Sequence, residues 1–200
     1  MTKTIDYFFG IGSPWAYIGF DAFIELAARS GAEIRPYLIP LIVENGAIYS
    51  RDRPDARRAY WMKDLRRWAT LRGKPLDFTN RSALSDPTPA GFLVLAAQLD
   101  GQDWTALACA LQHAFWGTAA DIGNADVRKA IAEAAGFDGA ALEARAARPD
   151  IAELWSGNRD VAKEAGVFGL PTFRYEGELY WGQDSLPFLE RHLSGEKLVA

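Results

Sequence analysis

Ser13-Pro14-Trp15-Ala16 stands where a strand pattern over Ile5 to Phe9 gives way to a helical pattern that starts at Pro14. A Cys-x-x-Cys pair at such a turn would exchange disulfides, since one thiolate attacks and a second releases the mixed disulfide. Ser13 and Ala16 occupy the two positions, so the chain cannot run that exchange here. What the residues keep is a hydroxyl donor among free N–H groups at the positive end of a helix dipole, a setting that stabilises an anion. A ligand's thiol placed there would ionise more readily. A free thiol of pKa about 8.5 is only a few per cent thiolate at neutral pH, and lowering that value by about two units takes about 2.7 kcal/mol. One charge-assisted hydrogen bond of about 1.5–3 kcal/mol and a helix terminus worth up to about 2 kcal/mol can supply it. Ser13 as a covalent nucleophile would need a base, and the two histidines, His113 and His192, lie far along the chain in helical contexts.

The elements that must position this turn follow from periodicity and punctuation. Lys3 to Phe9 reads as a strand, Pro14 to about Arg29 as a helix stopped by Gly31, and Glu33 to Leu38 as a second strand. From about Asp55 to Arg148 the pattern is helical. Trp61, Leu65, Trp68 and Ala69 share one face before Gly73 and Pro75, Thr88 caps a helix closed by Gly101, and Asp103 and Asn124 cap the next two. After a helix over about Ile151 to Ala165, Thr172 to Glu176 and Glu178 to Trp181 flank Gly177 as a hairpin, and Ser185 to His192 forms a last helix. This order predicts an α/β chain with a thioredoxin-like fold and an inserted all-helical domain. The thioredoxin-like part covers 1–50 and 155–200 and the helical insertion 51–154, with joins in the run Tyr49 to Asp55 and near Pro149.

Two further segments gain meaning in such a fold. Val167-Phe168-Gly169-Leu170-Pro171-Thr172 puts a proline at the head of a strand, where its missing N–H is tolerated and a cis bond fits. Taken alone it is a simple strand entry. In a thioredoxin-like fold this loop faces the N-terminus of the first helix, and a cis Leu170-Pro171 bond would leave the Leu170 N–H and C=O free for an extended peptide. Trp181-Gly182-Gln183-Asp184 precedes the last helix, and Asp184 can cap that helix, present its carboxylate to a peptide's charged end, or do both.

Composition narrows the partners. A formal net charge of -4 disfavours nucleic acid, which wants clustered Lys and Arg, and the basic run Arg57 to Arg67 has the spacing of a solvated helix face. No stretch has the roughly 18 apolar residues of a membrane span, and no signal-peptide pattern opens the chain, so a cytoplasmic location is the expectation. One cysteine, Cys109, excludes an internal disulfide and a cysteine-built metal site; its apolar helical neighbours predict a buried, inert thiol.

Ser13-Pro14-Trp15-Ala16-Tyr17, the run Arg58-Ala59-Tyr60 to Trp68-Ala69, Ala114-Phe115-Trp116, Val167 to Thr172 and Trp181 to Asp184 occur in order over nearly the whole chain. Together they resemble the 2-hydroxychromene-2-carboxylate isomerase family, within the DsbA-like, kappa-class glutathione transferase group. The resemblance implies glutathione as cofactor, a homodimer, and interconversion of 2-hydroxychromene-2-carboxylate with trans-o-hydroxybenzylidenepyruvate in aromatic-compound degradation. It further implies that Ser13 holds the glutathione sulfur, that Leu170 and Pro171 pair with the tripeptide backbone, and that Trp181, Gly182, Gln183 and Asp184 contact its γ-glutamyl end. Gly10 stands where the family often has an acidic residue, and the family's basic residue near Val43 is missing. Trp15, Tyr17, Tyr60 and Trp116 are candidates for the wall around a small aromatic substrate, with core packing the competing use of each. A kappa-type transferase or peroxidase and a non-enzymatic thioredoxin-like binding module are the alternatives.

Overall fold

The computed structural model describes residues 2–197. Strand β1 (Lys3–Phe9) carries a continuous apolar run, and its last five residues are all buried, as expected of a strand covered on both faces. It lies inside a four-stranded sheet of order β2-β1-β3-β4. Strand β2 (Ala32–Leu38) runs parallel to it, whereas β3 (Thr172–Tyr175) is antiparallel and pairs Phe8 with Thr172. Strand β4 (Glu178–Trp181) closes the hairpin through Glu176 and Gly177, both at positive φ (49° and 88°), the backbone of a tight hairpin turn.

Alternation along β1 divides the core. Tyr7 and Phe9 stack with ring centroids 4.5 Å apart, and Tyr7 also meets Phe173 at 5.4 Å and Phe23 at 4.5 Å. Phe23 belongs to helix α1 (Pro14–Arg29), which buries this face and ends before Gly31 at φ 63°. Phe8 points the other way, into a second cluster with Ile39, Ile42, Val167 and Leu170. Each such ring removes about 1.5–3 kcal/mol worth of apolar surface from water, so the end of β1, and with it the turn to Ser13, is held from both sides.

The helical segment comprises α2 (Asp55–Arg72), α3 (Thr88–Leu99), α4 (Trp104–Gly117), α5 (Ala125–Ala134) and α6 (Gly139–Ala146). Helix α7 (Pro149–Glu164) leads back to the sheet, and α8 (Leu186–Leu193) follows the hairpin. A proline opens α7, so the expected limit at residue 154 falls inside that helix. One buried cluster joins Ile5, Phe23, Leu65, Leu93 and Leu111, so sheet and helical segment share a core. Asp103 and Asn124 cap α4 and α5 as their sequence positions predict. Thr88 does not cap α3. It is the first helical residue, and its N–H and hydroxyl both donate to Asp86 Oδ1, at 3.0 and 2.8 Å. Cys109 is half-buried rather than buried, its Sγ 3.9 Å from Asp21 Oδ1, and burial pushes its thiol pKa up.

Candidate functional site

Gly10 ends β1 at a point of close approach: a Cβ there would stand 3.1 Å from the Ile39 carbonyl oxygen and 3.2 Å from Leu170 Cδ1. An acidic side chain at this position would have to displace one of them. The Ser13 N–H donates to the Gly10 carbonyl at 3.0 Å, which folds the chain into the start of α1. Ser13 is the N-cap, with extended backbone (φ -84°, ψ 116°), and its Oγ accepts from the Ala16 N–H at 3.2 Å. The same hydroxyl donates to the Leu170 carbonyl at 3.2 Å, across 157 residues of sequence.

The amides at this helix start are fewer than the sequence suggests. Pro14 has none, Ala16 is bound to Ser13 Oγ, and the Tyr17 N–H donates to the Ser13 carbonyl at 3.1 Å. Trp15 contributes the remaining first-turn N–H, so an anion here meets one hydroxyl and one amide rather than a ring of donors.

The Leu170-Pro171 bond is cis. Leu170 lines the same cleft as Ser13. Its carbonyl receives the Ser13 hydroxyl and is not free, whereas its N–H has no acceptor among the described residues. The Pro171 carbonyl accepts from the Gly182 N–H at 2.9 Å, which ties the proline loop to the segment after β4. Trp181 covers Gly169 so closely that a Cβ there would fall 2.3 Å from its indole nitrogen, and its ring meets Phe168 edge-on at 4.9 Å. Gly182 needs its glycine, at φ 86°, where a Cβ would fall 2.3 Å from Asp184 Oδ1. Asp184 is exposed on the cleft and makes no cap: α8 has Ser185 at its N-cap position and no side-chain capping bond.

Three predicted residues lie elsewhere. Gln183 is fully buried, packed on Gly19 of α1, and accepts from Arg72 Nε and Nη2 at 3.3 Å. Tyr17 is in the core, with its hydroxyl on the Pro75 carbonyl and on His113 Nδ1 at 3.1 and 3.3 Å; burial raises its pKa to about 12. Trp116 is buried and does not line the cleft. Tyr17 and Trp116 sit on faces of α1 and α4 that turn to the interior. Trp15 and Tyr60 do line the cleft, Tyr60 with 61% of its surface exposed. Neither histidine lines it: His192 Nδ1 is 2.8 Å from the Tyr180 hydroxyl, and His113 Nδ1 meets the Tyr17 hydroxyl.

The cleft holds about 1220 Å³ and lies between the two parts of the chain. Ser13, Trp15 and Leu170 line it. The segment Ser50 to Pro54, the first turns of α2 and the loop before α3 line it too, and they bring Arg51, Arg53, Arg57 and Arg81 to the surface of the same cavity. Sequence reasoning assigned the α2 basic run to solvent and passed over Arg81. Lone arginines in loops carry no spacing signal, and only the fold gathers them.

The DSBA-like thioredoxin domain profile matches residues 4–194. A 2-hydroxychromene-2-carboxylate isomerase from Sphingobium xenophagum is 33% identical over 198 residues, covering 96% of this chain and 99% of that protein. The chain belongs to the DSBA-like thioredoxin family, among its 2-hydroxychromene-2-carboxylate isomerases. A solved 2-hydroxychromene-2-carboxylate isomerase superposes with a TM-score of 0.79 at 25% identity, covering 96% of this chain and 95% of that one. The cytosolic disulfide reductase DsbM from Pseudomonas aeruginosa, solved with GSH, shares the fold at a TM-score of 0.67 and 21% identity over 96% and 99% of the two chains. No described helix is long and apolar enough to cross a membrane.

Proposed function

We propose that this family member is a glutathione-dependent cis-trans isomerase acting on a small aromatic substrate, interconverting 2-hydroxychromene-2-carboxylate and trans-o-hydroxybenzylidenepyruvate. The observation that carries it is a serine hydroxyl, not a thiol, held at the helix N-cap and on the Leu170 carbonyl, in an aromatic cleft. Disulfide exchange has no sulfur to use there. The fit to a γ-glutamyl tripeptide is good at three points. Leu170 offers an N–H and Asp184 a carboxylate that have no partner among the described residues, the one to an extended backbone and the other to an ammonium, and Ser13 offers a proton to a sulfur. Gln183 drops out of this set because its side chain is turned into the core.

Glutathione held there would supply a nucleophilic thiolate for reversible addition to the conjugated enone of the ring-opened substrate. Ser13 would turn its O–H from the Leu170 carbonyl to that sulfur and, with the Trp15 N–H, favour the anion. The hydroxyl remains the acceptor for the Ala16 N–H throughout, so α1 keeps its cap. Trp15 and Tyr60 face the ring of the substrate, and the aromatic walls of the cleft displace water from it. The relatives' isomerase function supports the assignment. We extend it to a homodimer, to be tested by mass in solution.

The test is turnover of 2-hydroxychromene-2-carboxylate with and without catalytic glutathione. Isomerisation should need glutathione without consuming it, and S-methylglutathione should bind yet not support turnover. Stoichiometric loss of glutathione would assign a transferase instead, and full activity without it would refute both.

A further inference from the structure

Arg81 differs from the other cations of the cleft. Arg51 pairs with Asp52 at 3.8 Å and is largely exposed, and burial, with the neighbouring Arg57 charge, pulls the Arg53 pKa down. Arg81 begins the short 3-10 turn Arg81–Ala83. Its guanidinium carbon rests 3.8 Å from the Trp116 ring centroid and 4.1 Å from that of Phe115, and Nη1 donates to the Phe115 carbonyl at 2.6 Å. Two ring faces and one carbonyl thus fix the plane of the group. Of its five N–H donors one is used, and the others have no acceptor among the described residues. No carboxylate of a described residue is within ion-pair distance. The nearest acid that acts on it, Asp77, already accepts the Thr79 N–H at 2.7 Å.

A half-buried guanidinium without a counter-ion is costly unless an anion arrives to meet it. Burial lowers its pKa to about 10, which leaves it charged at neutral pH. A planar fork on an aromatic shelf matches a carboxylate in two-point contact, with the shelf continuing toward an attached conjugated group. Given the isomerase assignment above, we propose that Arg81 is the anchor for the carboxylate of the aromatic substrate, and that the cleft therefore selects aromatic acids over their neutral counterparts. A tripeptide cofactor also carries carboxylates, and the experiment separates the two sources.

Binding of trans-2-hydroxycinnamate and of its methyl ester to the full chain is measured by calorimetry, alongside glutathione. The wild-type protein should prefer the acid. Arg81→Gln should weaken the acid by about tenfold or more, leave the ester within about twofold, and leave glutathione unchanged; Arg81→Lys should recover part of the loss, since it restores charge without the planar fork. Equal weakening of acid and ester would reduce Arg81 to a wall-building residue, and loss of glutathione instead would give the anion to the tripeptide. Either result, or no acid preference in the wild type, overturns the proposal. A wild type that prefers the acid but does not turn over 2-hydroxychromene-2-carboxylate with glutathione would refute the enzyme assignment and leave the anchor standing.

Discussion

Ser13→Ala separates two roles that one oxygen performs. As acceptor from the Ala16 N–H, Ser13 Oγ caps α1. Its loss should destabilise the protein by about 0.5–2 kcal/mol, with the melting temperature falling by about 2–4 °C per kcal/mol for a chain of this size. As donor, the hydroxyl makes a 3.2 Å contact to the Leu170 carbonyl, longer than the usual O–H···O distance of about 2.5–3.0 Å, so the proton can be redirected at small cost. A charge-assisted bond to a thiolate is worth about 1.5–3 kcal/mol, and the neutral bond given up about 0.5–1.5 kcal/mol. The difference, about 1–1.5 kcal/mol, corresponds to about one pKa unit. The bound glutathione thiol should therefore titrate below its solution value in the wild type and about one unit higher in Ser13→Ala, read from thiolate absorbance in the ultraviolet. Ser13→Gly sharpens the test, because glycine retains most of the capping stability: it should show the same titration shift with a smaller loss in melting temperature. A midpoint that stays in place when the hydroxyl is removed would refute Ser13 as the donor to sulfur.

Other outcomes follow from single contacts. Ser13→Cys should place a thiol of lowered pKa at the α1 N-cap and form a mixed disulfide with oxidised glutathione, visible as a glutathione adduct by mass spectrometry; no resolving thiol stands at Ala16 to release it. Gly19→Ala would set a Cβ 2.3 Å from Gln183 Cβ, so overpacking of about 1–3 kcal/mol should lower the melting temperature and, by moving the residue before Asp184, weaken glutathione binding in calorimetry. Asp103 is held below the usual carboxylate range by the Thr105 side chain and by the Thr105 and Ala106 N–H groups. Its contribution is complete above its unfolded pKa of about 3.9 and lost as pH falls through the lower folded value. Asp103→Asn, still a good cap, should match the wild type near neutral pH and lose less stability on acidification, checked by thermal melts over that range.

Much of this was written locally. Gly31, Gly73, Gly101 and Gly136 mark helix ends at positive φ, and Asp103 and Asn124 mark starts, because caps and left-handed closures depend on a few neighbouring residues. The serine turn and the cis proline were legible for the same reason. Orientation was not. Tyr17 and Trp116 read as site residues because they are aromatic, and Gln183 because it sits in the segment Trp181 to Asp184, yet their side chains are buried, which only the packing of α1 on α2 and α4 decides. Arg81 could not be found at all, since its two aromatic partners are 34 and 35 residues away.

The cleft draws Ser13 and Leu170 from the strand-to-helix turn and the proline loop, and its arginines from the segment before α2, from α2 and from the loop before α3. These parts carry different constraints. The turn is fixed by the sheet: Phe8 and Leu170 share one buried cluster, and Gly10 has no room for a side chain. Helix α2 lends the cleft exposed surface, with Leu65 and Ala69 its buried residues, so its cleft residues can change with little effect on the core. A fold divided this way can exchange a thiol for a hydroxyl at one position and alter its substrate at others. That is the physical sense in which a serine at the N-cap of α1, rather than the thioredoxin-like architecture, decides what chemistry this chain can perform.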